Sequence, residues 1–260
     1  MTGPDEKPNG QAPVKVPGKE SLTAPLPKRF YTGVSVKEAA PGPGYAILLD
    51  GRPVRTPKKL PLVVPTRPLA EAIATEWEAQ GERIDPGTMP LSKLAITVID
   101  GVASNMADVA ADIVQFAGSD LLCYRAEAPA PLADLQAKAW DPLLRWAEDE
   151  IGAHFHTAKG VMPVSQKPET FDRVAAAVAP FSAPALTALH VMTTLTGSAL
   201  LALAHAKGRL SAAEAWAAAH VDEDWQISQW GVDAEAAERR ARRWTEMQAA
   251  SRFLELLRVN

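Results

Sequence analysis

The 260-residue sequence contains a single cysteine, Cys123. A single thiol excludes an intramolecular disulfide and a cysteine-based metal cluster, and we interpret Cys123 as a buried apolar residue. An excess of basic charge is lacking too, because 27 Lys and Arg residues stand against 31 Asp and Glu residues and the formal net charge is -4. This balance gives no electrostatic footprint for nucleic acid, so we expect no nucleic-acid partner.

The sequence also lacks a long apolar run and an export signal. Residues 186–206 form the longest apolar stretch, but His, Thr, Ser and Gly residues interrupt it. A membrane-spanning helix needs about 20 predominantly apolar residues. Residues 1–28 are rich in Pro, Gly and Lys, contain no apolar core of a signal peptide, and are predicted to be a disordered tail. We therefore expect no membrane insertion and a location in the reducing cytoplasm.

Catalytic signatures are missing as well, including the Gly-x-Ser-x-Gly elbow, the phosphate-binding Gly-rich loop and the His-Glu-x-x-His zinc motif. His154 and His156 would lie on one face of a strand, and a metal site would also need His190, His205 or a carboxylate near His220. No spacing brings these groups together, so we expect no metal, no cofactor and no enzymatic activity. The alternatives are a small-molecule or metal-dependent enzyme built on these histidine and acidic positions, or a scaffold for another protein.

The first half of the sequence has the pattern of a small β-rich domain. Asp50-Gly51 lies between two β-type runs, and such a step favours a type I′ hairpin turn with positive φ at both residues. Residues 29–65 are punctuated by prolines and predict a small antiparallel sheet. Thr66 is placed to cap a helix whose apolar stripe ends at Trp77. We assign residues 29–110 to this N-terminal domain.

The second half becomes rich in Ala, Leu and Trp, which favours helices. Pro142 is expected to restart a helix, because proline suits the first turn. Ser211 opens a capping box, which predicts one helix that continues through Trp230. We expect five or six helices in residues 111–260. The fold class is therefore α+β, with a small antiparallel β-rich N-terminal domain that includes helices and an all-helical C-terminal domain.

Acidic and aromatic side chains cluster late in the sequence. Three acids and two tryptophans follow one another closely there: Asp222, Glu223, Asp224, Trp225 and Trp230. Negative charge beside large amphipathic rings suits the recognition of a basic, partly apolar protein surface. The alternative is that the tryptophans belong to the core and the acids form a solvated helix face.

Eight short blocks of the sequence, taken in order and with their spacing, are similar to one known family. The blocks are Arg29-Phe30-Tyr31, the segments 49–57, 76–81, 89–91, 119–125, 140–142 and 195–198, and Asp222-Glu223-Asp224-Trp225-Gln226. They resemble the ATP synthase assembly chaperones specific for the α subunit of the soluble catalytic sector, the family of mitochondrial ATP synthase assembly factor two. The resemblance covers nearly all of residues 29–257.

The resemblance implies a molecular chaperone and not an enzyme. Such a protein would bind the unassembled α subunit, shield the surface that later contacts the β subunit, and promote assembly of the catalytic head without a cofactor. We expect it to be monomeric when free. Mitochondrial members carry a targeting peptide, which the acid-containing tail of this chain does not resemble, so we infer a bacterial member that acts in the cytoplasm.

The resemblance also implies roles for particular residues. The family's functional acidic position falls on Glu223, with Glu235 as a competing placement. Trp77 matches a family tryptophan, and we assign it a structural role together with the turn residues Asp50 and Gly51. Further contacts to the partner are expected from the neighbours of Glu223, which are Asp222, Asp224, Trp225 and Trp230.

Overall fold

The Asp50-Gly51 turn joins two strands of a small antiparallel sheet in the computed structural model, which describes residues 25–160 and 162–258. Backbone φ is +47° at Asp50 and +76° at Gly51, so the predicted type I′ geometry is confirmed. The central strand pairs with one long neighbour on one side and with two short strands on the other. The strands are β1 (Val34–Glu38), β2 (Tyr45–Leu49), β3 (Arg52–Pro53) and β4 (Val63–Val64).

The Asp50 carboxylate fastens the segment before β1 to this turn. It accepts hydrogen bonds from the N–H of Gly33 at 2.8 Å, from the N–H of Thr32 at 3.1 Å and from the Thr32 hydroxyl at 2.9 Å. The hydrogen bond from Gly33, followed by those from Thr32, lowers the pKa of Asp50 because each stabilises the ionised carboxylate. Asp50 therefore shapes the turn and also anchors the chain that enters the sheet.

Three helices follow the sheet: α1 (Arg67–Glu78), α2 (Pro90–Asp100) and α3 (Met106–Gly118). Thr66 caps α1 as expected, since its hydroxyl accepts the N–H of Leu69 at 3.4 Å. The same hydroxyl donates to the carbonyl of Leu256 at 2.8 Å. One threonine thus starts the first helix and ties it to the end of the chain.

A carboxylate from α1 caps the N-terminus of α2. Met89 occupies the N-cap position of α2, and no side-chain cap is formed there among the described residues. Instead, Glu76 accepts the N–H of Leu91 at 2.7 Å and both the N–H and the hydroxyl of Ser92, at 2.8 and 2.7 Å. Burial raises the pKa of Glu76, while these three hydrogen bonds favour its charged form. Glu76 therefore holds two helices together from a partly buried position.

Trp77 lies beside Glu76 and joins α1 to the segment before the sheet. Its indole packs edge-on against Tyr31, with 5.8 Å between the ring centroids, and the Tyr31 hydroxyl donates to the Trp77 carbonyl at 2.7 Å. The Arg29 guanidinium lies 4.6 Å from the centroid of the Tyr31 ring and donates to the Gln80 carbonyl at 2.5 Å. These contacts support the structural role that we assigned to Trp77.

The tail predicted for residues 1–28 falls for the most part on residues 1–24, outside the described residues. Its last residues pair with the chain that follows α1. The N–H of Ile84 donates to the carbonyl of Pro27 at 2.8 Å, and Lys28 forms a β-bridge with Arg83. The described part of the segment is thus attached to the N-terminal half.

The described part of the second half contains seven helices, where we expected five or six. They are α4 (Ala130–Ile151), α5 (Pro168–Val178), α6 (Ala183–Thr196), α7 (Ala199–Ala206), α8 (Ala212–Ala219), α9 (Val221–Trp230) and α10 (Ala234–Arg258). Two short parallel strands, β5 (Tyr124–Arg125) and β6 (Ala158–Lys159), flank α4. The α+β class with a helical C-terminal half is confirmed.

Two helix boundaries that we predicted from the sequence are wrong. Pro142 does not restart a helix but lies inside α4, because Trp140 and Leu143 on either side are buried and tertiary packing holds the helix through the proline. The single helix predicted from Ser211 through Trp230 is two helices, α8 and α9, which meet at His220. The capping box at Ser211 itself is present.

One apolar core runs through both halves of the chain. It joins buried residues of the sheet and α1, such as Ile47 and Ile73, to those of α6, α7 and α10, such as Leu200 and Phe253. The boundary that we placed between residues 110 and 111 falls inside α3. The change in composition along the sequence therefore marks a change from sheet to helix without a break in packing.

The Asp120 carboxylate is fully buried where the chain leaves α3. It accepts the N–H of Leu122 at 3.1 Å and the N–H of Leu200 at 3.1 Å, so it connects this segment to the first turn of α7. Burial raises the pKa of Asp120 to about 6, although its hydrogen bonds oppose the shift. A buried carboxylate with several N–H donors positions α7 in the core.

Within residues 25–160 and 162–258, no single helix is long and apolar enough to cross a membrane. The segments Pro90–Ser104 and Met106–Cys123 pass such a test only as a pair, by length and composition, and they are bent by 102° relative to each other.

We predict that Glu76→Ala lowers the free energy of unfolding by about 1–2 kcal/mol, because it leaves the first N–H groups of α2 without their acceptor. Denaturant unfolding measures this loss. Glu71→Ala is the matched control on α1, since Glu71 forms an exposed ion pair with Arg67 at 3.5 Å and its removal costs less than about 0.5 kcal/mol. Equal losses for the two variants would contradict the capping role.

We predict that Asp120 makes the stability depend on pH. The pKa of Asp120 is about 6 in the folded protein and near its ordinary value of 3.8 when unfolded. Between these values the folded protein binds more protons, so this group lowers the free energy of unfolding as the pH rises, by on the order of 3 kcal/mol. Urea unfolding of the wild type and of Asp120→Asn at a series of pH values should differ in slope across this window. Parallel plots of unfolding free energy against pH for the two proteins would contradict this role of Asp120.

Candidate functional site

The helix α9 is the least buried helix of the C-terminal half. None of its ten residues, all of them described, is buried. The helix is bounded by His220 before its first turn and by Gly231 after its last turn. Gly231 has φ +87° and ψ -179°, a conformation that side-chain-bearing residues avoid. Because all ten residues of α9 are at least partly exposed, we consider this helix the centre of the candidate site.

His220 sets the point at which α9 begins. Its ring is buried and packs on Trp216 with 4.0 Å between centroids, and Trp216 in turn lies 5.4 Å from Trp244 of α10. Nδ1 lies 2.7 Å from the carbonyl of Trp216, which only accepts hydrogen bonds, so Nδ1 carries the proton. Burial lowers the pKa of His220, and Nε2 lies 3.9 Å from the carboxylate of Glu223.

The three consecutive acids of α9 have different surroundings. Asp222 accepts a hydrogen bond at 2.7 Å from Gln136, a buried residue of α4. Asp224 accepts one at 2.5 Å from Arg240 of α10. Glu223 has a side chain that is 54% exposed and has no hydrogen bond within the described chain. Of the three predicted acids, Glu223 is therefore the one whose charge is available to a partner.

A groove of about 710 Å³ separates α9 from α10, and we call it the α9–α10 groove. Its rim carries three exposed apolar side chains, Ile227 at 37%, Trp230 at 79% and Val232 at 69% exposure. Small alanines of α10 contribute to its wall. Its lining includes Glu223, Ile227, Trp230, Val232, Ala237 and Arg243.

A second groove, of about 640 Å³, lies on the opposite flank of α9 and is called the α4–α9 groove. Trp225 and Asp224 line this groove and not the first one. The walls are mostly apolar and come from α4, the turn before α8, α8 and α9. The residues that define it here are Leu135, Lys138, Pro142, Arg209, Leu210 and Trp225.

The structure separates the predicted site residues into three groups. Glu223 and Trp230 meet in the α9–α10 groove, whereas Asp224 and Trp225 lie in the α4–α9 groove. Asp222 is engaged with α4. The competing acid, Glu235, lies on the first turn of α10 with a side chain that is 86% exposed, pairs with Arg239 at 3.4 Å and does not line either groove.

Our reading of the sequence missed the apolar and basic members of the α9–α10 groove. Ile227 and Val232 are isolated apolar residues in a polar stretch, and Arg243 lies on the polar part of α10. The signal that could have found Val232 is the Trp230-Gly231-Val232 step, in which a glycine ends one helix between two apolar residues. Arg243 donates to the Leu195 carbonyl at 2.6 Å, so it belongs partly to the fold.

Of the histidines considered for a metal site, His154 and His156 lie side by side, and the others have separate surroundings. His154 and His156 are edge-on with 5.4 Å between ring centroids, while His190 pairs with Asp112 at 2.7 Å and His220 is buried beside Trp216. Among residues 25–160 and 162–258, no three His, Cys, Asp or Glu side chains are arranged to hold a metal ion.

Comparison with known proteins identifies the family. Residues 28–148 match the family described as ATP12 chaperone protein. A candidate chaperone from Agrobacterium tumefaciens is 50% identical, with a TM-score of 0.87 over 92% of this chain and 89% of its own. Atp12 from Paracoccus denitrificans is 44% identical, with a TM-score of 0.85 over 89% of this chain and 99% of its own.

An aspartate-to-lysine mutant of Paracoccus denitrificans Atp12 gives a similar match, with 43% identity and a TM-score of 0.85 over 89% of this chain and 98% of its own. At these identities the similarity extends through both the sheet and the helical half. In agreement with the resemblance to ATP synthase assembly chaperones that its eight sequence blocks carry, the chain belongs to the ATP12 chaperone family.

Proposed function

We propose that this protein binds the unassembled α subunit of ATP synthase, shields the surface that later contacts the β subunit, and so promotes assembly of the catalytic head. The family supports a chaperone in ATP synthase assembly, and the sequence resemblance supports the α subunit as the partner. The observation that carries the proposal in this chain is the pairing of exposed Trp230 with the unengaged carboxylate of Glu223 in the α9–α10 groove.

Exposed apolar side chains on this groove support a role in protein binding. Folded proteins seldom leave a tryptophan as open as Trp230, which is 79% exposed, next to two further exposed apolar residues, Ile227 and Val232. Tryptophan is among the residues that contribute most to protein interfaces, where a charged rim selects the partner. The groove thus combines an apolar anchor with the negative charge of Glu223.

The proposed action requires binding alone. An α subunit that waits for its β subunit exposes apolar surface, and a protein that covers this surface lowers the concentration of the aggregating species by mass action. Release follows when the β subunit binds the same surface more tightly. The protein acts as a monomer without nucleotide, metal or catalysis, and we place this action in the cytoplasm.

The direct test is an aggregation assay with purified α subunit. We predict that the full chain suppresses light scattering by the isolated α subunit at an equimolar ratio, without nucleotide, and that added β subunit displaces it. An unrelated protein of similar size and charge serves as the control for crowding. An unchanged scattering curve at equimolar ratio would overturn the proposal.

We predict that Glu223→Lys weakens this protection, with about fivefold more protein needed for half suppression, because reversal of an interface charge costs on the order of 1 kcal/mol. The melting temperature should stay nearly unchanged, since the described contacts of the Glu223 side chain amount to one at 3.9 Å with His220. Titration of the aggregation assay and thermal unfolding measure the two effects separately.

Two further charge reversals serve as controls for this variant. Glu235→Lys tests the competing acid, which lies outside both grooves. Glu238→Lys changes an exposed acid of α10 whose ion pair with Arg242 spans 3.8 Å. Loss of protection with Glu235→Lys in place of Glu223→Lys would move the site to the start of α10. A parallel loss of melting temperature and protection in Glu223→Lys would make Glu223 a structural residue.

A further inference from the structure

The α4–α9 groove is a second apolar surface, and the contacts described above leave it open. Leu135 of α4 is 43% exposed at its edge, and Trp225 of α9 is only partly buried. Alanine and leucine side chains of α4 and α8 complete the walls. The groove lies on the flank of α9 opposite to Glu223 and Trp230, so a partner that covers α9 would reach both grooves.

The charged side chains on the rim of this groove differ in their hydrogen bonds and ion pairs. The Glu214 carboxylate accepts the N–H of Ser211 at 2.7 Å and its hydroxyl at 2.8 Å, and Asp224 accepts a hydrogen bond from Arg240. Lys138 and Arg209, both exposed, have no acidic group within 4.0 Å among the described residues. Asp224 is balanced by Arg240, whereas Glu214 keeps its negative charge and is stabilised by nearby Arg209, so Lys138 is the rim cation without an acidic counterpart among the described residues.

Pro142 adds a polar feature to the α4 wall. Proline has no N–H, so the carbonyl of Lys138, four residues earlier in α4, loses the donor that an uninterrupted helix would supply. Both residues line the groove. The wall therefore offers a hydrogen-bond acceptor beside apolar side chains and the cation of Lys138.

We propose that the α4–α9 groove is a second binding surface for the client subunit, and that it takes an amphipathic segment with apolar side chains and at least one carboxylate. The apolar side chains pack against Leu135 and Trp225, and the carboxylate pairs with Lys138. This inference rests on the proposed function, because the segment belongs to the subunit that the α9–α10 groove also binds. The two grooves together bind the client on both sides of α9.

The position of the groove favours this occupant over the two alternatives within reach of the same chain, because a partner that covers α9 reaches both grooves. Residues 1–24 carry three lysines and three acids and few apolar side chains, so they match neither the cations nor the walls. A second copy carries exposed acids such as Glu223, but a copy that offered this acid would cover the α9–α10 groove, which the proposed function assigns to the client.

The first test is the affinity for purified α subunit of the full chain and of its Lys138→Glu, Arg209→Glu double variant. We predict a dissociation constant about tenfold higher for the variant and a weaker dependence of binding on salt. The control is Lys37→Glu, Arg52→Glu, which reverses two exposed cations of the N-terminal sheet. An unchanged affinity in the groove variant, or an equal loss in the control, would overturn the proposal.

Folding defects are separated from binding defects by a milder pair. Lys138→Gln, Arg209→Gln removes the charges without adding acids, and we expect its melting temperature to equal that of the wild type and its dissociation constant to rise about threefold. Wild-type affinity of this neutral pair, together with a lowered melting temperature of the double glutamate variant, would show that the charges act on the fold and would refute a role in binding.

Photo-crosslinking identifies the occupant. Benzoylphenylalanine replaces Leu135 in one full-length protein and Trp230 in another, and each is irradiated with purified α subunit before mass spectrometry. The proposal predicts that the probe at position 135 crosslinks a segment of the α subunit that contains apolar residues and a carboxylate. A crosslink from position 135 to a second copy or to residues 1–24 would refute it.

The two probes also distinguish this inference from the proposed function. Crosslinking of the α subunit from position 230 and not from position 135 would refute the second binding surface and leave the proposed function unaffected. Absence of crosslinks from both positions, together with unaltered aggregation of the α subunit, would remove both.

Discussion

The hydrogen bond between the His220 imidazole and the carbonyl of Trp216 determines where the candidate site starts. The ring occupies a buried position against Trp216, ends α8, and lets α9 leave in a new direction. Burial also lowers the pKa of His220 and so favours the neutral ring, whose second nitrogen faces Glu223. Both grooves are consequences of that break, since an uninterrupted helix through Trp230 would give α9 a different course.

The rest of the fold provides a rigid base for α9. Glu76 joins α1 to α2, Thr66 joins α1 to the end of α10, and Asp120 joins the segment after α3 to α7. Each is a polar group that satisfies backbone or hydroxyl partners across elements far apart in the chain. The helix α10 belongs to both regions, since its second half is part of the common core and its first half forms a wall of the α9–α10 groove.

How much the sequence predicts depends on whether the cause is local. The turn at Asp50-Gly51, the cap at Thr66 and the capping box at Ser211 were predictable because each depends on a few neighbouring residues. Pro142 inside α4 and the break at His220 were not, because buried neighbours from other elements decide them. For the same reason the sequence indicated Glu223, Trp225 and Trp230 but not that Trp225 lies in a separate groove, whose walls come from α4, α8 and α9.

The lack of any buried side chain along α9 has a consequence for how such a protein changes over time. Its ten residues contribute little to the core, so substitutions at its exposed positions change the surface of the protein more than its stability. The residues under folding constraint, such as Glu76, Trp77 and Asp120, lie on other elements. Under the proposed function, a chain organised in this way adapts to a changed partner through one short helix, while the contacts that hold the scaffold together stay as they are.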